Sequence, residues 1–85
     1  MPELCRFEGI VLRMYRHDHP PPHFHAIHGE TEAVYGLDGT CMAGSLPRAQ
    51  HKLVRAWARV HQAELERCWN RAQSDDPIGT IEPLP

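Results

Sequence analysis

The sequence predicts an α+β fold: a small antiparallel sheet of three or four strands in the N-terminal half, packed against one long helix or two consecutive helices in the C-terminal half. Three observations carry this. Up to Gly44 the apolar residues alternate in short runs broken by Gly and Pro. From Arg48 to Gln73 neither Gly nor Pro occurs. Over that second run the apolar residues recur with a helical period. Eighty-five residues make one small domain, residues 1–85, the expectation, and so short a chain has a thin core that pairing of two copies would help to cover.

Taken in order, Phe7 to Tyr15 reads as the first strand, with Ile10, Leu12 and Met14 on one pleat face and Val11, Arg13 and Tyr15 on the other. The segment His17-Asp18-His19-Pro20-Pro21-Pro22 follows as a stiff extended connection, since prolines cannot donate to a ladder or continue a helix. His23 to His28 reads as the second strand, Gly29-Glu30 as a hairpin tip and Glu32 to Leu37 as the third strand. Asp38-Gly39 is a further turn, and Thr40 to Ala43 a short fourth strand.

Gly44-Ser45-Leu46-Pro47 offers a cap and a first-turn proline, and helix then extends to Gln73. Leu53, Val54, Trp57, Val60, Leu65, Cys68 and Trp69 share one arc about 180° wide, the face expected to pack on the sheet. Arg48, Lys52, Arg55 and Arg59 fall in a narrow arc on the opposite side. A straight helix over the whole run would be about 40 Å long, whereas a compact domain of this length is about 30 Å across. The helix therefore either breaks, near His61, or projects to meet a second chain. The tail, with Ile78, Ile81 and Leu84 after the turn residues Ser74 to Pro77, is expected to lie extended across the core.

Nine Lys and Arg against 11 Asp and Glu give a net charge of -2, which excludes global attraction to nucleic acid or anionic lipid. No run of about 18 apolar residues and no basic, apolar N-terminal leader occurs, so no membrane partner is expected and the cytoplasm is the expected location. Cys5, Cys41 and Cys68 are odd in number and form no C-x-x-C pair, which argues for reduced thiols rather than a disulfide framework or an all-cysteine zinc site. A Gly-rich phosphate loop, a G-x-S-x-G elbow and an H-E-x-x-H motif are all missing.

Five of seven histidines, His17, His19, His23, His25 and His28, lie within twelve residues. Residues two apart on a strand share a face, so His23 and His25 can present two imidazole nitrogens to one divalent metal such as zinc, and are expected to point toward the helical layer. A third ligand would come from His17, Asp18 or His19 across the proline turn, or from the distant His61 or Glu64, while His28 has the wrong parity. The competing reading is that the imidazoles hydrogen-bond separately to carbonyls around the donor-free prolines and bind nothing. His61 and Glu64 fall inside the apolar arc and so need partners. Either they form a pair on a continuous helix facing His23 and His25, fit for proton exchange, or a helix break at His61 lets Glu64 close a capping-box-like arrangement. The stripe Arg48, Lys52, Arg55 and Arg59 suits an acidic protein partner ahead of nucleic acid, or is a solvated face. Trp57 and Trp69 belong to the core.

The chain resembles a family of small bacterial proteins catalogued as domain of unknown function 4160. The resemblance is carried by Arg6-Phe7-x-Gly9-Ile10-Val11-Leu12-x-Met14-Tyr15, by Pro21-Pro22-His23-Phe24-His25-Ala26, and by Gly44-x-Leu46-Pro47. It continues through Leu53-Val54-x-x-Trp57, His61-x-x-Glu64-Leu65 and Ile81-x-Pro83-Leu84. Pro20, and His28 in place of an aromatic, depart from the family pattern, so His19 and His28 are weaker site candidates than His23 and His25. The resemblance implies no established activity. It implies a protein-interaction component of a paired, toxin–antitoxin-like two-gene module, its partner a second small protein encoded nearby. The alternative from the residues themselves is a small metal-dependent enzyme, conceivably acting on nucleic acid, with His23 and His25 as ligands and Glu64 as general base.

Overall fold

A computed structural model describes residues 2–85. Five strands form one antiparallel meander: β1 (Glu3–Phe7), β2 (Ile10–Arg13), β3 (His23–His28), β4 (Thr31–Gly36) and β5 (Cys41–Gly44), each paired with its neighbour in sequence. Two helices follow, α1 (Arg48–Val60) and α2 (Gln62–Ala72).

The sheet has five strands, not the three or four expected, because Glu3–Phe7 forms a strand of its own ahead of the run read as the first, and the chain turns back between them. Phe7 pairs with Ile10 across the two-residue loop Glu8-Gly9, and both loop residues have positive φ, 50° and 74°. A tight hairpin needs this backbone to match the right-handed twist of its strands. Gly supplies it freely, whereas Glu rarely does, so Glu8 hid the turn.

Alternation then places the core. Ile10, Leu12, Phe24, Ala26, Ala33 and Tyr35 are all buried on one face, where the indole of Trp57 meets Phe24 edge-on at 5.5 Å between ring centroids. The helical run breaks at His61, keeping the longest extent of the molecule to 34 Å. Pro47 occupies the N-cap of α1 without a side-chain hydrogen bond, so Ser45 does not cap it. Val60 departs from the expected buried arc at 63% exposed, because the helix direction changes one residue later and its face never reaches the sheet.

The tail crosses the core edge as expected. Ile78 and Ile81 are buried, the Ile81 N–H donates to the Leu4 carbonyl at 2.8 Å, and the Trp57 Nε1–H donates to the Glu82 carbonyl at 2.8 Å. The exposed side of β1 is thereby partly covered. All four residues of β5, on the other edge, are exposed.

Tyr35 is buried to 0% exposure with its hydroxyl 2.8 Å from His51 Nδ1, and burial, with the nearby Cys41, pushes its pKa up to about 12. The native state thus favours the neutral phenol. Its contribution to stability is complete below the unfolded value of about 10 and is lost as pH rises toward 12, on the order of 2 kcal/mol in all. Urea midpoints measured between pH 9 and 12 should fall more steeply for the wild type than for Tyr35→Phe; equal slopes would show that Tyr35 ionises freely in the fold.

Candidate metal centre

His23 and His25 share a face of β3, but it is the face opposite the one expected. Phe24 and Ala26 take the core side, so the two imidazoles leave the sheet away from the helix-packed face. His23 opens the strand and is buried, and Trp69 of α2 lies 5.4 Å from it between ring centroids. Tyr15 stands edge-on to His25 at 4.8 Å.

The third group is Asp18. The connector that carries it is tied to the end of α2: the His17 N–H donates to the Ala72 carbonyl at 2.9 Å, and the Gln73 side-chain amide donates to the Asp18 carbonyl at 3.1 Å. Those bonds hold the Asp18 carboxylate over the start of β3. Its Oδ2 is 2.8 Å from His23 Nε2 and 3.7 Å from His25 Nε2. One ligand atom from each of the three residues lies within 4.8 Å of the other two. Around a tetrahedral ion with bonds of about 2.0–2.1 Å, neighbouring ligand atoms sit about 3.3 Å apart, so the two measured separations bracket that value.

The ring orientations are the informative detail. His23 Nδ1 is 2.7 Å from the Pro21 carbonyl oxygen, which can only accept, so that nitrogen carries the hydrogen. In the neutral ring the Nε2 lone pair is then left facing a carboxylate oxygen, and a proton or a metal ion has to lie between them. His25 is arranged alike: Nδ1 meets Glu32 Oε2 at 3.1 Å, and the buried Nε2 has no hydrogen-bond partner. Both imidazoles therefore turn Nδ1 outward to an acceptor and Nε2 inward to Asp18. Metal-ligating histidines use this arrangement, in which an outer carbonyl or carboxylate fixes the tautomer. Partial burial pushes the Asp18 carboxyl up. The His19 backbone N–H, the His23 hydrogen bond, and the charge of His23 and His19 when protonated outweigh it, holding the carboxyl below the ordinary aspartate value.

The other candidates are placed elsewhere. His17 is exposed, and His19 is 85% exposed, with Nδ1 3.1 Å from the second Asp18 oxygen. His28 lies beside Gly9 in the β1–β2 turn. His61 and Glu64 do not face the histidine pair. His61 N-caps α2, its Nδ1 is 2.6 Å from Glu64 Oε1, and its ring is 5.7 Å from Trp57. Glu64 thus takes the third helical position as in a capping box, but bonds the imidazole rather than the backbone. Arg48, Lys52, Arg55 and Arg59 are exposed and, among the described residues, engage in no ion pair.

Sequence reasoning missed Glu32. The two-residue tip Gly29-Glu30 sets His28 opposite Thr31, hence His25 opposite Val34, and makes Glu32 a diagonal neighbour on the same face as His25. The hairpin signal held that information. The three cysteines are free, and burial raises the thiol pKa of Cys5 and Cys68, so neither is an activated nucleophile. Among the described residues no helix is long and apolar enough to cross a membrane.

The family model for Domain of unknown function (DUF4160) matches residues 9–70, a stretch that contains Asp18, His23 and His25 and omits β1 and the tail. No curated protein and no solved structure matches the chain. The match spans well over half of the sequence, and the chain belongs to the DUF4160 family.

Proposed function

We propose that Asp18, His23 and His25 bind one divalent transition metal, and that the domain is a small metal-dependent enzyme of the cytoplasm. The observation that carries the reading is the shared orientation of the two rings, Nδ1 on an outer acceptor and Nε2 converging on one carboxylate oxygen. Two imidazoles and a carboxylate suit zinc or iron(II), and three protein ligands leave a position for water or substrate, as catalytic rather than structural sites do. A metal held there would act as a Lewis acid. The protein's own part is to fix the two tautomers through Pro21 and Glu32 and to hold Asp18 in place through Gln73.

Protein purified without an affinity tag and stripped with a chelator should take up one zinc ion per chain. His25→Ala should weaken that uptake at least about a hundredfold, on the scale of a lost ligand or outer partner. Uptake that is absent, or indifferent to His25→Ala, overturns the reading.

The exposed, unpaired stripe of Arg48, Lys52, Arg55 and Arg59 supports a second reading that is compatible with the first: docking of an acidic small protein, the product of a neighbouring gene, on the outer face of α1.

A further inference from the structure

Beside the proposed metal centre lies a cleft of about 590 Å³, adjacent to the smaller recess that holds Asp18, His23 and His25: Pro21 and Met42 line both. Its apolar surface comes from the prolines, Leu37 and the 45% exposed Met42. Gly36 stands opposite His23 in the sheet and lines the cleft, where a Cβ would come within 3.5 Å of Met42 Sδ and 3.2 Å of Asp38 Oδ1. The charge on the lining has one sign. Asp38, from the β4–β5 turn, and Glu66, from α2, are carboxylates, and among the described residues no Lys, Arg or His lines the cleft. Asp38 accepts the Thr40 N–H at 2.9 Å, which fixes its position on the rim.

An aliphatic body is accommodated by the apolar part, and a cationic end is attracted to the rim. A phosphate or carboxylate would meet the Asp38 and Glu66 carboxylates, and the cation nearest them, Arg55, acts on Asp38 from outside the lining. That disfavours a nucleic-acid backbone in this cleft, although the helix stripe elsewhere is basic. The open edge of β5 does not offer an alternative route for substrate, since a sixth strand would lie three strand spacings, about 14 Å, from β3. We propose that the cleft is the substrate-binding side of the centre, and that it takes an alkylammonium or alkylguanidinium group whose other end is presented to the metal. The assignment of the second end rests on the metal reading; the recognition of the cationic end does not.

The test uses the full chain, metal-stripped and zinc-loaded, titrated with 1-hexylamine, 1-hexanol and hexanoate at pH 7 and followed by two-dimensional amide NMR. Hexylamine should give saturable shifts at Gly36, Thr40, Met42 and Gln62 in both forms, and bind more tightly than hexanol, with hexanoate weakest. Glu66 is exposed on α2 and its side chain makes no hydrogen bond among the described residues, so its variants should preserve the fold. Glu66→Gln should weaken hexylamine roughly three- to fivefold, the scale of an exposed ion pair, and Glu66→Lys should reverse the order of amine and carboxylate. Hexanoate binding as well as the amine, or shifts that map elsewhere, would overturn the proposal. Amine binding in the cleft of a protein that takes up no zinc would refute the metal centre and leave the cleft's preference standing.

Discussion

Replacing Trp57 by alanine lowers the stability of the fold by about a third or more, up to loss of the native state at 25 °C. The indole is fully buried, meets Phe24 at 5.5 Å and Phe7 at 6.3 Å between ring centroids, and donates to the Glu82 carbonyl. It therefore joins sheet, α1 and tail in one contact. Truncating a core tryptophan costs about 3–5 kcal/mol, and the lost donor leaves the Glu82 carbonyl without its partner. At roughly 0.05–0.15 kcal/mol per residue, a chain of this length has a total stability on the order of 4–13 kcal/mol. At the lower end of that range the variant should show lost near-ultraviolet circular dichroism and a urea midpoint near zero, and at the upper end a midpoint lowered by about a third, while Trp57→Phe, which keeps the ring contacts, loses less. A melting curve unchanged by Trp57→Ala would mean that the tail and the sheet are held by something other than this ring.

If the proposed centre binds zinc, the ion at about a hundred times its dissociation constant should raise the stability of the chain by up to about 2.7 kcal/mol. For a domain of this size that is a melting-temperature shift of about 10–20 °C. The figure is a ceiling for a local reason: the ligands lie within eight residues, Asp18 to His25, so the unfolded segment with His17, His19, His23 and His25 also holds some metal. What folding adds is orientation, through Glu32 on β4 and Gln73 at the end of α2. His25→Ala should therefore show no gain with zinc, and Glu32→Ala a reduced one. A gain of equal size in His25→Ala would place the ion at some other group.

Much of this was legible locally. The switch from alternation to helical period divides the chain near Gly44, and the two-residue tip at Gly29-Glu30 fixes the β3–β4 register. His23 and His25 must share a face because a strand repeats every two residues. The first hairpin was illegible for a residue-specific reason: Glu8 adopts a backbone that Asn or Gly would have announced. The face was misjudged because a histidine pair beside Phe24 and Ala26 has to take whichever side the larger apolar set leaves free, and that is settled by the whole sheet.

The sequence by itself determined the two-part architecture and the pairing of the two imidazoles on one side of a strand, while it left the helical run either to break near His61 or to project, and the structure decided for the break. These follow from periods of two and 3.6 residues and from chain length, which act between near neighbours. Only the tertiary structure decided that Asp18, and not His17 or His19, completes the cluster, and that His61 and Glu64 stand apart from it. The connector has no repeat from which to read a direction; its side chains are aimed by hydrogen bonds from Gln73 and to Ala72, more than fifty residues away along the chain.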